Sequence, residues 1–429
     1  MSPTLVDSFA EPAVVFSFPV IQLVVLGFLL AEFAVETLLD GVYLATLARG
    51  SQPLPAVLAQ RLAPEAVAKS RAYAGARLRL GLAQRSVAWV AVLAVLFGGG
   101  LTTLEHQLTE LGLSGTELSV GFLLALAAGF QFLGVPFALV STFGIERRFG
   151  FNRQTWGGWL ADQLKGWLVS LALGVPFLLG AVWFVSAAQE FWWLWLAAFI
   201  LGVQWVLVWL FPTFIAPLFN RFTPLPAGEL RERVEAQAKA GGFRPKGVFE
   251  MDASRRSGHS NAYFTGLGRS KRIVLFDTLL KDLTPTQIEA VMAHEIGHYK
   301  LGHIRRRLAW GAAFTFGLLF AASLAARQPA LYQAFGLTAP TPHGLLALLV
   351  LAGGPLTFWL APAMAGLSRR HEFQADAYAR QAVGRSDTLA EALVKLSVEN
   401  LSNPTPHPWY VAWHASHPPL AQRLAALEK

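Results

Sequence analysis

The 429-residue chain contains no cysteine. Disulfides, thiolate metal sites and a cysteine nucleophile are thereby excluded. Charge is scarce as well. Only 14% of residues are Asp, Glu, Lys or Arg, where a soluble domain carries about a quarter. Hydrophobic residues make up 54%, and mean hydropathy is +0.44. Much of the chain is therefore expected never to meet water. The net charge is +8 and the sequence pI is near 9.9. Such a balance suits nucleic acid in general, but no zinc-finger, RNA-recognition or phosphate-loop pattern is present. Gly266 and Gly268 form a lone G-x-G, too weak for a dinucleotide site. The basic residues sit in alternate loops, so a lipid bilayer is the expected partner and nucleic acid is not.

A bilayer-crossing helix needs about 20 mostly apolar residues. Seven stretches qualify, near 14–38, 86–104, 119–143, 158–187, 191–219, 308–327 and 344–367. The first is flanked by Asp7 and Glu11 rather than Lys or Arg, unlike a cleaved signal peptide. The segment before the second stretch is rich in arginine, and that after the third carries Arg147, Arg148 and Arg153. The loop between the second and third holds Glu105, Glu110 and Glu117 with no Lys or Arg, and the loop after the fourth has Glu190 alone. By the positive-inside rule the long loops and the C terminus are cytosolic and the N terminus lies outside. The expected location is a multi-pass position in a bacterial inner membrane, or in the endoplasmic reticulum of a eukaryote. Glu32, Glu36 and Asp40 recur every four residues and share a helix face, and Asp162 and Lys165 lie one turn apart. They sit either at the interface or facing water inside the bundle.

The spans divide the chain into 1–219, a soluble stretch at 220–306, two further spans at 307–367, and a helical tail at 368–429. The soluble stretch opens with a helical pattern, Glu229 to Ala240, closed by Gly241-Gly242. Three strand-like runs follow, near 247–252, 261–265 and 272–277. Thr284-Pro285-Thr286-Gln287 then reads as a helix start, with Thr284 as N-cap and Gln287 completing a capping box.

That helix carries His294-Glu295-Ile296-Gly297-His298. Each residue turns it by about 100°, so positions four apart share a face. His294 and His298 can therefore hold one metal through imidazole nitrogens, and Glu295 is the expected general base. A chance match on an amphipathic helix is the alternative, and a third ligand decides between the two. His303 is a poor candidate. The longer motif with a third histidine needs Gly at 301 and His at 304, where Leu301 and Ile304 stand, and His303 falls about 180° around the helix from His294. It is read as structural or interfacial. After the last span, Glu372 and Asp376 lie four apart. Glu372 can bind the metal while Asp376 orients a ligand histidine. A solvated charged helix is the alternative there, and His371 competes as ligand. Two histidines and a carboxylate with an open fourth position favour one catalytic Zn²⁺.

Several stretches together are similar to the type 1 CAAX prenyl protease family of integral-membrane zinc peptidases. They are Thr142-Phe-Gly-Ile-Glu-Arg-Arg-Phe-Gly-Phe-Asn-Arg-Gln-Thr155, Ser257-Gly-His-Ser-Asn-Ala-Tyr-Phe-Thr-Gly266, His294 to His303, and Glu372-Phe-Gln-Ala-Asp376. Ser416-His417-Pro418-Pro419-Leu420 with Arg423 closes the series. The resemblance implies an all-α polytopic membrane protein. Seven transmembrane helices would enclose a chamber, with a small α+β peptidase region at its cytosolic end. It further implies Glu372 as third zinc ligand and Asp376 as the group behind a ligand. Asn261, with Ala262 and Tyr263, would pair with the substrate backbone as an edge strand. His417 would donate to the oxyanion. The family's substrates are prenylated proteins with a C-terminal CAAX motif. His259 is read as a loop histidine. One rival is a membrane quality-control peptidase that needs no prenyl group. Another is a transporter or receptor, which has no need of two metal-ligating helices beside a glutamate.

Overall fold

The computed structural model describes residues 17–49, 54–243, 245–266, 271–384 and 386–428. Asp7, Glu11, residues 14–16 of the first expected span, and Gly268 lie outside them. The membrane-crossing helices are long. They comprise α1 (Phe18–Arg49), α2 (Pro64–Phe97), α3 (Gly115–Leu139, continuing to Phe149), α4 (Trp156–Ala187) and α5 (Trp192–Leu210, continuing to Phe219).

A small mixed sheet follows. Its strands are β1 (Phe222–Pro224), β2 (Val248–Met251), β3 (Ala262–Thr265) and β4 (Arg272–Phe276), with α6 (Glu229–Ala240) between β1 and β2. The spatial order is β1-β2-β4-β3; β2 and β4 run parallel and the other pairs antiparallel. β3 is therefore an edge strand. Then come α7 (Pro285–Lys300) and the sixth long apolar helix, α8 (His303–Ala326). The seventh span is bent by 43° between α9 (Pro342–Leu351) and the segment Gly353–Val383. The break falls at Gly353-Gly354-Pro355, where two glycines and a missing N–H interrupt the helix. The last part of that segment is α10 (Ala361–Val383), followed by α11 (Ser386–Glu399), α12 (Pro408–His414) and α13 (Leu420–Leu427).

Six spans, or seven with the bent pair counted as one, agree with the hydropathy reading. Two helices run well past their apolar stretches. α2 begins at Pro64, so most of the segment read as a basic loop is helix; α10 continues to Val383. A 34-residue helix is about 51 Å long, against about 30 Å of hydrocarbon. Hydropathy marks only the part inside lipid.

The packing is uneven along the membrane normal. A solid core joins the ends of the helices far from the sheet: Leu96 of α2, Phe122 of α3, Ala181 of α4, Leu196 of α5 and Leu345 of α9, with Phe335. Only 6–17% of each long span's apolar window is buried. The accessible surface is 23026 Å², whereas a compact monomer of 46.7 kDa exposes roughly 16,000 Å². The spans thus leave much of their surface uncovered by protein. A largely apolar cavity of about 560 Å³ lies between α1, α2, α3 and α9. The peptidase elements have a core of their own, built on Ile273, Leu275, Ile288, Met292 and Ile296.

Candidate active site

Thr284 caps α7 as its sequence requires. Its hydroxyl accepts from the Gln287 N–H, and the Gln287 side chain bonds back to the Thr284 N–H. α7 then packs on α10 with almost no gap. A Cβ on Gly297 would lie 3.1 Å from the Ala375 Cα. This approach brings Glu372, on α10, beside the two histidines of α7.

His294, His298 and Glu372 each present one ligand atom, all within 4.8 Å of one another. The two Nε2 atoms face each other at 3.2 Å. Glu372 Oε1 lies 3.2 Å from His298 Nε2, and Oε2 lies 3.4 Å from His294 Nε2. Glu372 is buried, and its Oε2 has no hydrogen-bond partner. A buried carboxylate oxygen left without a hydrogen bond beside two imidazole nitrogens is costly. The donor set fits a tetrahedral Zn²⁺ with one open position.

The outer nitrogens fix the ligand tautomers. His294 Nδ1–H donates to Asp376 Oδ1 at 2.8 Å. Burial opposes a proton on His294, but the Asp376 and Glu372 carboxylates outweigh it and lift its pKa to about 9. Asp376 is in turn clamped by Arg423 of α13, whose Nε and Nη2 reach its two oxygens at 2.8 and 2.6 Å. Arg423 is itself buried. His298 uses its Nδ1 to meet His303 Nδ1 at 3.1 Å, and His303 Nε2 meets Gln374 Oε1 at 2.9 Å. His371, the competing ligand, stacks on His303 instead, with ring centroids 4.0 Å apart.

His303 sits elsewhere than helical projection places it. α7 ends at Lys300, and Gly302 takes a left-handed conformation, φ +72°, from which α8 starts afresh. The elbow turns His303 back onto His298. Burial pushes the Glu295 carboxyl up, against the pull of His294 and His298 beside it. His417 is exposed on the loop after α12, with Nε2 3.4 Å from Glu372 Oε1 and Nδ1 2.9 Å from the Ser416 hydroxyl.

The open edge of β3 lies in the same region. The Phe276 N–H donates to the Asn261 carbonyl, so Asn261 and Tyr263 turn their backbone groups toward β4. Ala262 and Phe264 then turn theirs to the open side. The Ala262 N–H is met there by Asn261 Oδ1 at 2.8 Å. Asn400 holds the residue before, accepting from the Ser260 N–H and donating to the Ser260 carbonyl, both at 3.0 Å. His259 lies in a loop, as read, and is tied down there. It stacks on Phe151, touches Asn400 through Nδ1, and meets Glu146 through Nε2 at 3.2 Å. Glu146 ends a π-helical stretch, Val140–Glu146, and also accepts from the Tyr73 hydroxyl at 2.6 Å. Glu36 and Asp40, read as interfacial or water-facing, are buried. Arg85 pairs with both carboxylates, and His414 of α12 meets Glu36 at 3.3 Å.

Residues 44–221 match the family described as CAAX prenyl protease N-terminal, five membrane helices, and residues 224–429 match peptidase family M48. The chain belongs to the M48 family of CAAX prenyl proteases. It is 36% identical to CAAX prenyl protease 1 homolog of Arabidopsis thaliana, spanning 94% of this chain and 96% of that one. It is 33% identical to CAAX prenyl protease 1 of Saccharomyces cerevisiae, over 95% of each. The crystal structure of S. mikatae Ste24p shares the fold, with a TM-score of 0.89 and 32% identity, covering 95% of this chain and 99% of that one. This M48 peptidase is an integral, multi-pass membrane zinc metalloprotease. Its zinc site is His294, His298 and Glu372. The sequence assigns Arg423, Asn400 and Glu146 no stated role, because each acts on a partner far away in the chain; His303, read as structural or interfacial, supports His298 across the Gly302 elbow.

Proposed function

We propose that this peptidase cleaves prenylated proteins near a C-terminal CAAX motif, on the cytosolic side of its membrane. The observation that carries the prenyl requirement is the cavity of about 560 Å³ between α1, α2, α3 and α9. Its lining is apolar, with Leu123, Phe130, Leu346 and Val350 among the wall residues. Its one charged rim is Glu32 and Arg85. Its size falls in the range of small-ligand sites. Arg85 leads through Glu36 to His414, three residues from His417. A lipid chain in the cavity would thus leave its attached peptide close to the zinc ligands. A quality-control peptidase has no need of such a cavity. The alternation of basic and acidic loops supports the cytosolic placement. The four-part division at 219, 306 and 367 follows the same reading.

The substrate strand pairs with the open side of β3, through Ala262 and Phe264, with Tyr263 holding β3 to β4 behind it. Asn261 releases the Ala262 N–H and turns its amide to the incoming strand. Zinc, when bound, polarises the scissile carbonyl and lowers the pKa of the attacking water toward about 7. Glu295 accepts the proton of that water and passes it to the leaving amine, a role suited to a carboxyl raised by burial. The Ser416 hydroxyl facing His417 Nδ1 leaves the imidazole proton on Nε2, where it can reach the oxyanion. Asp376 keeps His294 in the ligating tautomer.

The test is cleavage of a farnesylated CAAX peptide beside its unprenylated twin, with Glu295→Gln as control. Cleavage of the farnesylated form alone, abolished in Glu295→Gln protein that still holds zinc, is expected. Equal cleavage of both peptides overturns the prenyl requirement. Zinc loss in the variant overturns the role given to Glu295.

A further inference from the structure

We propose that a basic pocket at the N-terminal end of α4 binds the headgroup phosphate of an anionic phospholipid. The pocket measures about 240 Å³ and lies between the first turns of α4 and the 3₁₀ turn Ala253–Arg255 after β2. Arg153, Lys165, Arg255 and Arg256 line it, against one acid, Asp162. Asp162 is spent on Arg256, which it grips through both oxygens at 2.7 and 3.0 Å. Arg255 meets only Asp252, at 3.9 Å, so Arg153 and Lys165 leave an excess of two positive charges, with Arg255 loosely paired beside them, around a space the size of a phosphate and its glycerol.

The depth of the pocket points to a lipid. α4 has 32 residues and is about 48 Å long. The hydrocarbon core takes about 30 Å of that and the headgroup layers bring the total to about 45 Å. With the helix centred on the core, about six residues extend beyond the hydrocarbon at each end, so residues 153–161 fall at headgroup level and Lys165 reaches up to the pocket from just inside. Running down from the pocket, Leu160, Leu164 and Leu168 form an exposed stripe at helical spacing. Phe214 and Leu218, from the end of α5, are equally exposed, and Lys165 Nζ bonds the Leu218 carbonyl, bringing the two faces together. A cationic pocket above an uncovered apolar track matches a phosphate attached to acyl chains; a free phosphate has no use for the track. Basic pockets between spans on the cytosolic side take such headgroups.

The wall of the pocket also leads to the active site. The Arg153 N–H donates to the Arg256 carbonyl, Asn152 bridges Ser257, and the chain reaches Asn261 four residues later. A headgroup held by Arg153 and Arg255 would brace the approach to β3 against the membrane.

The experiment uses the full-length protein in nanodiscs of four parts phosphatidylcholine to one part phosphatidylglycerol, extracted gently into detergent for native mass spectrometry. One phosphatidylglycerol should stay with each wild-type molecule. Arg153→Gln with Arg255→Gln should weaken its retention roughly 30-fold, with zinc content unchanged. Lys165→Gln serves as an independent variant should the pair fold poorly, and Lys239→Gln with Lys246→Gln, on the soluble surface, should retain the lipid. Retention in every pocket variant equal to wild type overturns the proposal. So does displacement of the lipid by millimolar inorganic phosphate, which would mark a site for a soluble anion.

Discussion

His294 answers two demands through one ring. Nδ1–H binds Asp376, and Nε2 must offer a lone pair to the metal. Without metal, the two carboxylates keep a proton on the ring up to a pKa of about 9. Metal and proton therefore compete, and the sign follows. Below pH 9 each zinc bound releases about one proton, so apparent zinc affinity should rise by about tenfold per pH unit and level off above pH 9. Isothermal titration in two buffers of different ionisation enthalpy measures this; zinc uptake without proton release would contradict it. Arg423 stands one shell further out. Arg423→Ala strands the buried Asp376 carboxylate, at a cost of about 3–5 kcal/mol. Zinc affinity should fall roughly 10–100-fold. Thermal unfolding with and without added zinc reports both. The histidine pair was legible in the sequence because its members share one helix face. Arg423 and His303 were not, since each finds its partner through tertiary folding, and His303 does so only because Gly302 breaks the helix.

Elements explain why the ligands meet. α7 starts where its capping box says it should. It touches α10 through a position with no side chain. A Cβ at 297 would stand 3.1 Å from the Ala375 Cα and 3.2 Å from the Tyr378 ring. Gly297→Val should push the helices apart, destabilise the fold by about 1–3 kcal/mol, and withdraw Glu372 from the histidines. Zinc analysis of the purified variant checks this: protein that keeps its full zinc while melting earlier would show that the contact sets stability alone. The three strands near the site were legible from alternation and composition. β1 was not, because Phe222-Thr223-Pro224 is too short to show a period. The π-helical stretch that delivers Glu146 also leaves no pattern in side-chain type.

Across the whole molecule, the low burial of the spans is the feature that composition could only hint at. Spans that bury so little against one another read the same in hydropathy as spans in a solid bundle. Filling the cavity separates its function from that of the zinc site. Ala127 lines it. Ala127→Trp should lower kcat/KM for a farnesylated peptide by at least roughly tenfold, about the worth of two buried methylenes, and leave the zinc content unchanged. Wild-type kcat/KM in the folded, zinc-loaded variant would remove the cavity from substrate binding.

The elbow at Gly302 ties this scale to the first. His298 leans on His303, the opening residue of a membrane helix, while Asp376 leans on an arginine 129 positions from His294. The metal centre is therefore not portable. Excising the sheet and α7 would carry away two ligands and leave behind the third and both of their supports. Unlike a zinc finger, this chemistry cannot be transplanted as a cassette; only a whole membrane-embedded chain can inherit it.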